Sequence, residues 1–155
     1  MTKLIRVTVA AFAAVAMCGI ASAQEKATES DARKLLAAMV DLAKAKGVEP
    51  AAAMINKFEG VDCRVKDAGC LIATGKAKVL ANPRNPVMVG QQFPDLLDID
   101  GKPITEQLLG PAGGSKAIWE AKYKMNPPGQ TVIVPRWSIC TKLDAAHIAC
   151  VTISQ

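Results

Sequence analysis

The stretch Asn85–Pro103, N-P-V-M-V-G-Q-Q-F-P-D-L-L-D-I-D-G-K-P, places the tightest constraint on how this chain folds. Pro86 and Pro94 fix φ and offer no backbone N–H, so neither a helix nor a central strand runs through them. Gly90 accepts φ > 0. Asp100-Gly101 is a tight-turn signal, closed by Lys102-Pro103. Between these breakers sit Phe93, Leu96, Leu97 and Ile99, which need a core to pack against. The segment is therefore an irregular but anchored connection. Connections of this length with their own structure often carry function, the plainer alternative being a loop with apolar anchors.

The N-terminus reads as an export signal. Lys3 and Arg6 form a positive start, Val7–Ile20 is an uncharged apolar run, and Ala21-Ser22-Ala23 is a cleavage site. Residues 1–23 are thus expected to be removed, with Gln24 first in the mature chain, and the product to be periplasmic or secreted. Cys18 follows Met17 where a lipid-anchor signal wants a small residue, so it is read as lost with the leader. The remaining 24–155 is one domain, roughly 130 residues, enough for a real core. Without Lys3 and Arg6 the formal charge of +5 falls to about +3. That balance, with no basic run interleaved with aromatics, argues against a nucleic-acid partner. No later stretch is apolar and long enough to cross a membrane.

Four cysteines remain: Cys63, Cys70, Cys140 and Cys150. An even number in an exported chain favours disulfides. Three pairings exist in principle. The local ones, Cys63–Cys70 and Cys140–Cys150, are preferred because each brackets a turn-like segment. Metal binding and haem attachment are not expected, since the chain has no C-x-x-C and a single His.

Leu35, Leu36, Met39, Val40, Leu42 and Ala43 recur at helical spacing. They predict a long helix capped by Thr28 or Ser30 and stopped by Gly47. A second helix starts at Glu49-Pro50, runs through Ala51–Phe58 and stops at Gly60. Cys70–Thr74 and Ala77–Ala81 read as strands around a Gly75-Lys76 turn. Ile104–Leu109 reads as a short helix, and 112–115 as flexible. Three strands follow, at Ala117–Met125, Val132–Lys142 and His147–Ser154, with turns at Asn126–Gly129 and Leu143–Ala146. This order gives an α+β domain: a long N-terminal helix packed on one antiparallel sheet of five to six strands. One sheet face lies under the helix, the Asn82–Gly114 excursion covers the other, and a pocket between them follows.

The element order and the run N-P-R-N-P-V-M-V-G-Q-Q-F-P-D-L-L-D-I-D-G-K-P resemble the single Cache domain, a bacterial extracellular small-ligand sensor with a PAS-like sheet. Val89-Gly90, Asp95-Leu96, Asp98, Asp100, Gly101, Lys102 and Pro103 occupy that family's places, and Gly113-Gly114 followed by Trp119–Tyr123 fits what comes next. The likeness covers nearly the whole mature chain. The chain departs from it at Thr74-Gly75-Lys76, at the Arg136-Trp137 that follows Pro135, and in its disulfides. The resemblance implies a non-catalytic periplasmic binding or sensing protein that takes a small organic ligand, expected to be a carboxylate, and signals through a membrane-receptor partner.

No catalytic constellation is present: there is no G-x-S-x-G and no H-E-x-x-H, and His147 is the lone histidine. Asp95, Asp98 and Asp100 lack the spacing of a calcium loop and are read as turn caps. Arg136 is the residue suited to grip a carboxylate with two parallel hydrogen bonds. Trp119, Tyr123 and Trp137 are read as pocket walls. No cofactor is expected. The competing reading is a disulfide-stabilised structural or interaction module with a closed core, held as a homodimer through its first helix.

Overall fold

The computed structural model describes residues 25–114, 117–126 and 131–155. The export-signal reading of residues 1–23 lies outside them, as does most of the turn read at Asn126–Gly129.

Helix α1, Glu29–Lys46, begins where Thr28 and Asp31 form a capping box, each side chain accepting the other's backbone N–H. Glu29 and Asp31 lie in its first turn, and Lys44 and Lys46 in its last, matching the helix dipole. Gly47 ends it at φ +87°, and α2 follows at once as Val48–Asn56. Strands β1 (Gly69–Thr74) and β2 (Val79–Ala81) form a hairpin. Its turn is held by the Thr74 hydroxyl, which accepts from the amides of Lys76 and Lys78. Next come a 3-10 turn at Pro86–Met88, helix α3 (Ile104–Leu109) and a second 3-10 turn at Gly110–Gly113. The second 3-10 turn takes in Ala112 and Gly113 of the stretch read as flexible, and Ser115 lies outside the described residues. Strands β3 (Ile118–Met125), β4 (Val134–Lys142) and β5 (His147–Ser154) complete the fold.

The described strands make one antiparallel sheet in the order β2-β1-β5-β4-β3. Period-two alternation gives each strand two sides. Trp137, Ile139, Ala149, Val151 and Ile153 face α1, packing on Leu35, Leu36 and Met39. The opposite face carries Ala73, Trp119, Ala121, Tyr123 and Ile148, packed with Ile104 and Leu108 of α3. Burial of such side chains stabilises each face by roughly 1.5–3 kcal/mol per large residue.

Both local cysteine pairs are disulfides. Cys63–Cys70 closes the connection before β1, with Cα atoms 5.8 Å apart. Cys140 and Cys150 are direct cross-strand partners on β4 and β5, Cα atoms 4.1 Å apart.

The 82–114 excursion is stitched down along both edges. At the β2 edge, Gly90 donates to Val79 O and Val79 to Gln91 O, at 2.8 and 2.9 Å. Asn56 clamps α2 to the same place, donating to Leu80 O and accepting from Asn82 N. At the β3 edge, Asp98 takes the amides of Asp100 and Lys102 at 2.9 and 2.8 Å, and that of Lys124 at 3.3 Å. Asp98 therefore caps the Asp100-Gly101 turn and anchors it to the sheet, which accounts for a buried carboxylate there.

Candidate functional site

Between the sheet and the excursion lies a cavity of about 790 Å³, the size that holds a drug-sized small molecule. The sheet supplies its floor, α3 and the 82–96 segment its roof.

Arg136 lines the cavity at 7% exposure. Its Nη1 donates to Ser154 Oγ at 2.7 Å. That is the one hydrogen bond its side chain makes among the described residues, although a guanidinium has five N–H donors. The rest of the fork is left to the cavity. Arg84 enters from the roof, held by its Nε to Cys63 O at 3.2 Å and by Nη2 to Lys66 O. Burial pushes the Arg84 pKa down, with Arg136 adding to the fall and Asp67 and Asp62 opposing it. Two guanidiniums thus share one end of the cavity, and Lys26 lines it as well.

Asp67 is the counter-charge. Its carboxylate takes the amide of Ala27 at 2.6 Å and that of Ser154 at 2.9 Å, tying the segment before α1 to the end of β5. Burial works to raise its pKa, but these hydrogen bonds and the charge of Arg136 outweigh it, and the net shift is downward. One carboxylate facing Arg84, Arg136 and Lys26 leaves this end positive.

Tyr123 lines the cavity with its ring. Its hydroxyl lies 2.9 Å from Ser138 Oγ and 3.3 Å from Thr152 Oγ1, and those two are 2.6 Å apart. Three hydroxyls in a triangle can each donate once and accept once. Tyr123 is therefore satisfied within the sheet before any ligand arrives.

The residues read as one site do not all meet. Arg136 and Tyr123 are cross-strand partners and share the cavity. Trp119 is on the same face but at the other end, beneath α3, where its indole N–H donates to Leu108 O at 3.0 Å. It does not line the cavity. Trp137 is corrected outright as a wall residue: it faces α1, its N–H donates to Glu120 at 3.1 Å, and Arg33 lies over its ring at 5.7 Å. Consecutive strand residues point to opposite faces, so Arg136 and Trp137 cannot line one cavity. Sequence reasoning missed Arg84 and Asp67, both in turn-rich segments without periodicity. The one available signal for Arg84 was a basic residue enclosed by Pro83 and Pro86. His147 pairs with Asp144 at 2.8 Å in the β4–β5 turn and does not line the cavity.

No family model matches the chain, and no curated protein does. Solved structures do. A periplasmic sensor domain of a chemotaxis protein superposes with a TM-score of 0.64 at 17% identity, covering 79% of this chain and 91% of that one. A Cache chemosensory domain described for carboxylic acid recognition superposes at 0.60 with 18% identity, covering 81% and 86%. A methyl-accepting chemotaxis protein from Vibrio parahaemolyticus gives 0.63 at 13% identity, again over 81% and 86%.

Proposed function

The chain has the Cache sensor-domain fold, and we propose that it is a periplasmic binding module that takes an organic acid and does not convert it. One observation carries this reading. Arg136 is buried on the cavity wall with most of its donors unmatched by protein among the described residues. Among the described residues no side-chain nitrogen is both buried and unpartnered, so the remaining Arg136 donors open onto the cavity, where an incoming carboxylate can take two of them in bidentate form. Arg84 adds a second cation at the same end. A similar fold that recognises a carboxylic acid supports the choice of ligand.

The open cavity counts against the closed-core interaction module. Against catalysis stands the hydroxyl triangle: Tyr123, Ser138 and Thr152 satisfy one another and have no base beside them among their hydrogen-bond partners. Occupancy would then be read by a partner, either a membrane receptor or a second copy docked through α1. No helix among the described residues is long and apolar enough to cross a membrane.

A thermal-shift panel tests the reading, setting carboxylic acids beside amides, alcohols and amines of the same skeleton. A ligand at 100 times its Kd adds about 2.7 kcal/mol, a shift of several degrees for a domain of this size. Acids are expected to shift the Tm and their neutral counterparts are not. Amines that outrank acids would overturn the proposal.

A further inference from the structure

From the Tyr123–Arg136 row towards Ile148, the face of the sheet under the cavity passes from polar to apolar. Strand register sorts the inward-facing positions from Tyr123 onwards into four rows, while a further pair, Met125–Val134, lies on the other side of Tyr123–Arg136 and also lines the cavity. The first is Tyr123–Arg136–Ser154, and the second is Ala121–Ser138–Thr152–Gly69. The third is Trp119–Cys140–Cys150–Leu71, and the fourth brings Ile148 beside Ala73. Arg136 and the hydroxyl triangle fall in the first two rows. Beyond them the cavity meets Leu71, Ala73 and Ile148 from the sheet, and Phe93, Ile104 and Leu108 from the roof. Ser154 and Ile148 are six steps apart along β5, roughly 20 Å at the usual rise. All the cationic side chains lining the cavity, Lys26, Arg84 and Arg136, belong to its polar end. Lys26 reaches the carbonyl of Gln155, and Arg84 those of Cys63 and Lys66.

A two- or three-carbon acid held by Arg136 would leave most of about 790 Å³ as water against apolar walls. A short dicarboxylate divided between Arg136 and Arg84 would leave the apolar stretch to water, and one long enough to reach that stretch would place its second charge there without a charged partner, at a high desolvation cost. We propose that the ligand is an amphiphilic monocarboxylate, with its acid group on Arg136 and Arg84 and an alkyl or aryl body over Leu71, Ala73, Ile148 and Leu108. This inference rests on the carboxylate reading and narrows it to acids with a sizeable apolar body.

The test is calorimetric titration of the oxidised protein with linear acids from acetate to decanoate, phenylalkanoic acids, succinate, and the alcohols matching each acid. Affinity should rise about three- to fourfold with each added CH2 until the cavity is full. The two series of bodies then distinguish alkyl from aryl ligands. Arg136→Met should weaken the acids about tenfold or more and leave the alcohols unchanged. Ala73→Leu, which fills the apolar end, should cap the rise at shorter chains. If that variant does not fold, the wild-type series decides the question alone. Affinity that peaks at acetate or propionate, or succinate outranking every longer monoacid, would overturn the amphiphile and leave the carboxylate reading standing. Failure of every acid to bind would overturn both.

Discussion

Arg136 and Trp137 are joined by one peptide bond and serve opposite faces of the sheet. Arg136 walls the cavity, and Trp137 is buried to 1% exposure under α1. Ligand recognition and attachment of the helix are therefore separable at adjacent positions. Trp137→Ala should cost about 3–5 kcal/mol of stability, the range for emptying a large aromatic site. Urea denaturation measures the loss, and the ligand affinity of the folded fraction should stay unchanged. Arg136→Met should show the reverse pattern.

Trp119 joins β3 to the roof through a single hydrogen bond, indole N–H to Leu108 O. Trp119→Phe keeps a ring in place but leaves a buried carbonyl without its donor. The expected cost is about 1–3 kcal/mol. Amide hydrogen exchange should quicken across Ile104–Leu109 and hold steady in α1.

The cross-strand disulfide Cys140–Cys150 closes a sequence separation of only 10. Its loss therefore removes a modest constraint on the unfolded chain. The double variant Cys140→Ala/Cys150→Ala should lose about 2–3 kcal/mol and keep its far-ultraviolet circular dichroism.

Acid should act late. Hydrogen bonds from Thr28, its backbone amide foremost, and from Lys66 lower the Asp31 pKa from 3.8 to about 2. Asp67 is also lowered, as is Asp98, where the amides of Lys102, Lys124 and Asp100 outweigh burial. A carboxylate whose folded pKa lies below its unfolded value stabilises fully above the unfolded value. That contribution fades as pH falls towards the folded one. Circular dichroism should thus be flat from pH 7 to about 4 and decline below that. In Asp31→Asn stability should be lower at neutral pH and depend less on pH below 4.

Much of this molecule was legible in residues whose role is local. The Leu35–Leu36–Met39 stripe predicts α1 because a helical repeat needs no knowledge of the partner surface. The two short cysteine spacings point to the observed disulfides, and the turn residues from Asn82 to Gly114 mark the excursion that roofs the cavity. The strand starting at Val134 instead of Val132, and the place of Trp119 beneath α3, depend on register, which composition does not determine. Alternation alone already separates Arg136 from Trp137, and applying it would have removed Trp137 from the site. Arg84 and Asp67 reach the cavity only through tertiary folding of aperiodic segments. No periodic pattern marks them, and the prolines around Arg84 are its one local signal.

The measurement that tests the account most directly is isothermal titration of the strongest-binding acid against wild-type protein and Arg136→Met, with the α1 surface variant Lys44→Met as control. The account predicts about a tenfold or greater loss of affinity for Arg136→Met, from the hydrogen bonds to a charged group that it removes, and none for Lys44→Met. Equal affinity in all three proteins would place the ligand elsewhere and contradict the assignment of the cavity.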